Sequence, residues 1–288
     1  MTAVLLDGKA LAAELAEKLA QRVSSIVARS GAVPRLAIVR FEVSGPSDIY
    51  VRSLVRAAGR TGIDPLIVAL PSDATADVVS DRIRELNRDA TVAGVVLAEP
   101  LPAGLSKTGA AAQINPSKDV DGANPLNAGW LARGEPGPLP ATALAVITIL
   151  QRNEIAIAGR RAVVVGRSAV IGRPVALLLL GADATVVVCH SQTRDLAAET
   201  RRAEILVVCA GRPGLIGQEM VSPGCTVIDC GINTTPSGVV GDVAFDAVRS
   251  IASAITPVPG GVGPVTSMMV MTQTVDAAER SAEGSTSS

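Results

Sequence analysis

The stretch VVVGRSAVIGRPVALLLL at 163–180 has the composition and spacing of a phosphate-binding turn. A strand-like run enters Gly166, a tight loop follows, and Pro174 stands in the first turn of a helix. That order aims backbone N–H groups and the positive end of a helix dipole at a pyrophosphate. The glycines, Gly166 and Gly172, are spaced G-x5-G rather than G-x-G-x-x-G, so an ordinary strand–turn–helix stands beside the dinucleotide reading. The next run, ATVVVCH (184–190), ends in His190-Ser191-Gln192-Thr193, without the carboxylate that takes the ribose hydroxyls in NAD-binding domains. Neutral donors there, with Arg167 in the preceding loop, suit a 2′-phosphate, so a bound dinucleotide is expected to be NADP. Read alone, His190 is a capping or strand-end residue.

Other reactive groups are few. Lysine chemistry is confined to Lys9, Lys18, Lys107 and Lys118, against 22 arginines. Cys189, Cys209, Cys225 and Cys230 form no C-x-x-C pair and lie in or beside apolar runs, where cysteine acts as a small hydrophobe. With His190 the single histidine, no metal site is expected. In TPVPGGVGPVT (256–266), Gly260, Gly261 and Gly263 allow either a close backbone approach to a ligand or a tight loop.

These residues need a frame. Helical spacing runs through 8–29, where Leu11, Leu15, Leu19 and Val23 recur every four residues and Asp7 can cap the start. Strand-like RLAIVRF (35–41), PLIVAL (65–70) and GVVLAE (94–99) alternate with helical patterns at 49–61 and 74–89. A loop over 42–48 joins the first strand to its helix. The Pro- and Gly-rich stretch 100–140 reads as loops. A helix over 142–153 follows, and then a second alternation: RAVVVG (161–166), ATVVVCH, EILVVCAG (204–211) and TVIDCGI (226–232). The fold class is α/β, an N-terminal α/β domain plus a C-terminal Rossmann-type doubly wound parallel sheet. The expected boundaries are 1–140, 141–265, a C-terminal helix over 266–280 packing back on the first domain, and a disordered tail over 281–288.

Net charge is −1 and the aromatics are Phe41, Tyr50, Trp130 and Phe245, which argues against nucleic acid as a partner. No apolar run approaches the roughly 18 residues of a membrane span, and no secretory pattern opens the chain. The expectation is a cytoplasmic protein in a reducing compartment.

Taken in order, GRSAVIGRP (166–174), CHSQT (189–193), CAGRPGLI (209–216), TVIDCGIN (226–233), GDV (241–243) and TPVPGGVGPVT resemble the motifs of the methylenetetrahydrofolate dehydrogenase/methenyltetrahydrofolate cyclohydrolase family. DGK (7–9), PSDIYV (46–51), PLPAG (100–104) and KDVDG (118–122) fit the same family, so the resemblance runs from about residue 5 to residue 278. It implies a folate-binding N-terminal domain, an NADP-binding C-terminal domain and a homodimer. It implies cofactor contacts at Gly166, Arg167, Ser168, Ile171, Gly172, Pro174, His190, Ser191, Thr193, Cys209, Ala210, Gly211, Ile232 and Asn233. It implies substrate contacts at Tyr50, Asp121, Pro259, Gly260 and Gly261, with Tyr50 and Asp121 also catalytic. Asp121 would meet the amino-pyrimidine edge of the pterin, where a carboxylate accepts two parallel N–H bonds. Without the resemblance, Asp121 reads as a turn-capping aspartate.

The chain departs from the family at particular positions. The family's lysine, four residues after the tyrosine, is Leu54, and its glutamine before Pro-Leu-Pro is Ala98. Cys-Thr-Pro reads Ala141-Thr142-Ala143, and Phe-His-Pro reads Ala123-Asn124-Pro125. Arg52 and Arg56 lie about 200° around the helix from position 54 and cannot stand in for the lysine. Glu99 is either a replacement acid/base or a solvated strand-end carboxylate. Hydride loss is driven by the substrate's own nitrogen, whereas hydration needs positioned acid/base groups. The expectation is an NADP-dependent dehydrogenase with weak or lost cyclohydrolase activity. A repurposed paralogue acting on another small molecule and a non-catalytic NADP-binding protein stay open as alternatives.

Overall fold

The computed structural model describes residues 2–42, 47–236 and 238–285. Residues 43–46 of the expected loop and 286–288 of the expected tail lie outside the described residues. The chain opens with β1 (Val4–Leu5) and α1 (Gly8–Ser30), followed by β2 (Arg35–Phe41), α2 (Ser47–Thr61), β3 (Asp64–Leu70), α3 (Ala76–Arg88) and β4 (Val92–Leu97). Three helices come next: α4 (Lys107–Ala111), α5 (Pro125–Arg133) and α6 (Ala141–Arg152). The second alternation is β5 (Arg161–Val165), α7 (Gly172–Gly181), β6 (Thr185–Cys189), α8 (Leu196–Thr200), β7 (Ile205–Val208) and β8 (Thr226–Asp229). It closes with β9 (Asn233–Thr235), β10 (Gly238–Val240), α9 (Phe245–Arg249), β11 (Ala254–Ile255) and α10 (Val262–Ser285).

The chain divides into two compact units, residues 1–12 with 142–266 and residues 13–141 with 267–288. The expected boundaries differ from this division at both ends. The first twelve residues join the C-terminal sheet because β1 pairs in parallel with β11, Val4 against Ala254 and Leu5 against Ile255. The last helix starts at Val262, inside the segment read as loop, because Pro264 falls in its first turn, where proline costs no hydrogen bond. It also runs past Arg280 to Ser285, so residues 281–285 are helical rather than a frayed tail.

In the first unit, described strands form a parallel sheet in the order β1-β11-β8-β7-β5-β6. Val163, Val165, Leu206, Val208, Val227 and Ile255 form part of its aliphatic core. Near-continuous apolar strands are what a parallel sheet covered on both faces requires. From β5 the chain steps to β6 on one side and returns to β7 on the other. The carboxyl ends of β5 and β7 therefore flank the point where strand order reverses, the usual ligand crevice of such sheets. The hairpin of β9 and β10, and α9, were not legible as elements, being three to five residues each.

In the second unit, β3-β2-β4 form a parallel three-stranded sheet. Ala37, Val39, Phe41, Val68, Val95 and Leu97 pack with Val79, Ile83 and Leu86 of α3 and with Ile114. A further parallel bridge joins Val95 to Asp119, setting the 119–121 segment beside β4. The stretch expected as loops over 100–140 contains α5. Its signals were present: Asn124 caps the Leu126 N–H at 2.8 Å, Pro125 is at the first position, and left-handed Gly134 ends it.

Candidate active site

Two sets of residues, one in each unit, carry the candidate chemistry. In the second unit, Tyr50 lies on α2 and its hydroxyl donates to Asp121 Oδ1 at 3.4 Å. Asp121 is aimed by its neighbour. The fully buried Asp119 carboxylate accepts the N–H groups of Ala123 at 3.0 Å and Asn124 at 2.8 Å, and the Asn127 amide at 2.7 Å. That leaves Asp121 to face Tyr50. Burial and the Asp119 charge push the Asp121 carboxyl up to about 7, against the pull of the Lys107 ammonium and the Tyr50 hydrogen bond. The Tyr50 hydroxyl is held well above the usual phenol range, by burial first and then by the Asp121 charge. A carboxyl near 7 can give or take a proton at neutral pH.

Leu54, one turn beyond Tyr50, is fully buried, and Ala98 is buried at the end of β4. Arg52 and Arg56 are exposed on α2. Ala141 and Ala143 are buried at the start of α6. Glu99 is exposed and ion-paired with Lys107, the first residue of α4. Lys107 belongs to this group, and residue order did not show it. Its only signal was the scarcity of lysine.

In the first unit, the expected cofactor residues lie at or beyond the carboxyl ends of β5, β6 and β7, except Ile232 and Asn233, which follow β8. Gly166 has φ +132°, and a Cβ there would strike the Cys209 carbonyl and sulfur. Only glycine lets the β5 and β7 ends approach this closely. Ser168 Oγ accepts the N–H groups of Ile171 at 3.2 Å and Gly172 at 3.4 Å, and α7 begins there, with Pro174 buried in its first turn. The Gly166 N–H donates to the Cys189 carbonyl at 2.9 Å, so Arg167 and the His190–Ser191 turn leave adjacent strand ends. That turn is closed by Thr193 Oγ1 on the His190 N–H at 2.9 Å and by His190 Nδ1 on the Gln192 N–H at 3.2 Å. Arg167 and Ser191 are both exposed.

A pair of aspartates, Asp229 of TVIDCGIN and Asp242 of GDV, given no site role by the sequence reading, organises the third strand end. Asp242 accepts the N–H groups of Ala210 at 2.6 Å, Gly211 at 2.8 Å and Arg212 at 2.9 Å, and the Asn233 amide at 2.8 Å. Asp229 in turn accepts from the backbone of Gly231, Asp242 and Val243 at 2.8–3.0 Å. The N–H groups of Ala210 and Gly211 are therefore engaged within the protein, and these residues can offer a ligand only their other surfaces. Ile232 is 71% exposed beside this loop, an apolar surface suited to a ring. Gly260, buried with φ +115°, and Gly261 pack on the start of α1, and a Cβ on Gly8 would overlap the Gly261 carbonyl. DGK and PVPGG thus meet, with Pro259 left exposed.

Residues 6–121 match the model of the tetrahydrofolate dehydrogenase/cyclohydrolase catalytic domain, and residues 140–282 that of the tetrahydrofolate dehydrogenase/cyclohydrolase NAD(P)-binding domain. The chain belongs to the tetrahydrofolate dehydrogenase/cyclohydrolase family. It is 46% identical over 281 residues to the bifunctional protein FolD of Roseiflexus sp. (strain RS-1), covering 97% of this chain and 98% of that one. Its fold matches the bifunctional FolD methylenetetrahydrofolate dehydrogenase/cyclohydrolase of Campylobacter jejuni at TM-score 0.94 and 41% identity, over 96% of this chain and 99% of the other. The Trypanosoma brucei methylenetetrahydrofolate dehydrogenase-cyclohydrolase, solved with NADP and an inhibitor, matches at TM-score 0.94 and 38% identity, over 98% and 99%.

Membership settles the class of protein. This is an enzyme family of oxidoreductases acting on a CH–NH group, and β5, β6, β7, β8 and β11 of the six-stranded sheet lie in its NAD(P)-binding domain, with β1 added from residues 4–5. The expected α/β fold with a Rossmann-type sheet is the fold found. Among the described residues, no helix is long and apolar enough to cross a membrane.

Proposed function

We propose that this chain is an NADP-dependent 5,10-methylenetetrahydrofolate dehydrogenase whose cyclohydrolase activity is weak or lost. The observation that carries the reading is the contrast between the two sets of residues. The turn at Gly166, Ser168 and Gly172 is built for close backbone approach. The positions where the resemblance puts a lysine and a glutamine hold Leu54 and Ala98, both buried and without a proton to move. The repurposed and non-catalytic alternatives find no support among the relatives.

The residues at hand fit a dinucleotide phosphate. Gly166, Ser168, Ile171, Gly172 and Pro174 would cradle the pyrophosphate at the start of α7. Arg167 and Ser191, with His190 and Thr193 shaping the turn, would hold the 2′-phosphate. Ile232 and Asn233, with Cys209, Ala210 and Gly211, would border the nicotinamide end. NADP, when bound, supplies the hydride acceptor. Asp121 would hold the pterin by its amino-pyrimidine edge, with Tyr50, Pro259, Gly260 and Gly261 as further substrate contacts. Hydride departure asks the protein mainly for alignment. Hydration asks it for proton transfer, which positioned groups typically accelerate by roughly 10²–10⁴-fold. In this reading the enzyme is a cytoplasmic homodimer.

The test is a coupled absorbance assay with 5,10-methylenetetrahydrofolate and NADP. The methenyl product should form and accumulate, decaying no faster than in buffer. Absence of the methenyl signal overturns the dehydrogenase reading, and enzyme-accelerated decay overturns the loss of cyclohydrolase.

A further inference from the structure

The single histidine of the chain, His190, directly follows β6 and opens the turn that carries Ser191. Three N–H groups of this turn are engaged within it. The Thr193 N–H donates to the His190 carbonyl at 2.9 Å, and the His190 N–H donates to Thr193 Oγ1 at 2.9 Å. The Gln192 N–H donates to His190 Nδ1 at 3.2 Å. Among the described residues, the Ser191 N–H, the Ser191 hydroxyl and His190 Nε2 have no partner, and neither has the Arg167 guanidinium on the adjacent strand end.

The bond to Nδ1 says which form of the ring the turn needs. A neutral imidazole has one donor and one acceptor nitrogen, whereas an imidazolium has two donors. An N–H aimed at Nδ1 therefore selects the neutral ring with its proton on Nε2. The bond runs from a side chain to the backbone two residues on, the span that an Asx turn covers. Ser191 lies inside that span, between the ring and the N–H it holds. Ser191 is exposed, and few other contacts fix it. Ordering such a residue in advance lowers the cost of binding an anion there.

We propose that His190 is a positioning residue, a tautomer lock whose Nδ1 closes the 190–193 turn and leaves the Ser191 N–H and hydroxyl, beside Arg167, as the free donors for a phosphate. Only the identity of that phosphate, the 2′-phosphate of NADP, rests on the function proposed above. The lock acts through Ser191 and not by contact of the imidazole with the cofactor. Its two nitrogens can be tested separately. Asparagine at 190 carries an acceptor where Nδ1 stands and can make the same bond. Glutamine carries an amide near the place of Nε2 and has no acceptor at Nδ1.

The experiment has two parts, both on the full chain. Nitrogen NMR of the ¹⁵N-histidine-labelled protein at mildly alkaline pH, without cofactor, reads one ring and needs no assignment. Nδ1 should resonate as the unprotonated nitrogen and Nε2 as the protonated one. Calorimetric titration with NADP and with NAD then compares the parent with His190→Asn, His190→Gln and His190→Ala. Asparagine should hold the NADP affinity within about twofold, while glutamine and alanine lose about 3–10-fold, the worth of one hydrogen bond. NAD binding should stay level in all four. A proton on Nδ1 overturns the proposal, and so does NADP binding that glutamine preserves and asparagine loses, since that marks direct contact through Nε2. Equal NADP affinity in all four chains overturns it as well. A parent that shows the Nε2 proton yet binds NADP no tighter than NAD upholds the lock and overturns the NADP reading instead.

Discussion

Leu54 lies one helical turn beyond Tyr50 on α2 and is fully buried, so the position that would carry a second polar group beside the Tyr50 hydroxyl is part of the hydrophobic core. Leu54→Lys alone should therefore destabilise the chain by about 2–4 kcal/mol, from lost leucine packing and a buried ammonium. A fall in the denaturant midpoint checks it. Adding Ala98→Gln should recover part of that loss and raise methenyl-tetrahydrofolate hydrolysis at least ~10-fold over the parent. A double variant that binds folate yet hydrolyses no faster would sink the account built on the missing lysine.

Arg167 should read the 2′-phosphate. A charge-assisted hydrogen bond contributes about 1.5–3 kcal/mol, so Arg167→Ala should weaken NADP by ~10–100-fold and NAD far less. Calorimetric titration of both cofactors decides this, and equal losses would show that Arg167 does not discriminate.

The Asp242 carboxylate organises the loop after β7 by accepting three successive backbone N–H groups. Asp242→Ala leaves these without an acceptor and should cost about 3–5 kcal/mol. Asp242→Asn retains one oxygen and should cost less. Both should weaken NADP binding before they unfold the chain, measured by thermal shift with and without cofactor. Wild-type cofactor affinity in Asp242→Ala would mean that the loop does not need its carboxylate.

Asp121 predicts a slope in stability. Its carboxyl is raised from 3.8 to about 7, chiefly by burial, so the native state holds a proton that the unfolded chain releases. The contribution is fully present below about 4 and is lost as pH rises to about 7, at up to about 1.4 kcal/mol per pH unit. Asp121→Asn should flatten this part of the profile and gain stability relative to the parent at pH above 7. Urea unfolding across that range tests it, and parallel profiles for the two chains would remove the raised carboxyl.

The sequence by itself determined the β–α alternation, the α/β class, the aliphatic core and the strand–turn–helix at Gly166. These are written in periodicities of two to four residues and in Gly and Pro punctuation, which act over one or two turns of chain. The start and stop of α5 were also written locally, at Asn124-Pro125 and Gly134, but a Pro- and Gly-rich background hid them. Tertiary structure alone decided what lies far apart in the chain. β1 joins the six-stranded sheet through β11, about 250 residues on, and Gly8 packs on the Gly261 carbonyl. Lys107 meets Glu99, and Asp242 engages the N–H groups of residues 210–212. Nothing in the local pattern marks such pairs. A carboxylate or a glycine looks the same in the sequence whether it faces water or a partner, and chain closure over hundreds of residues, driven by burial, selects which one it meets.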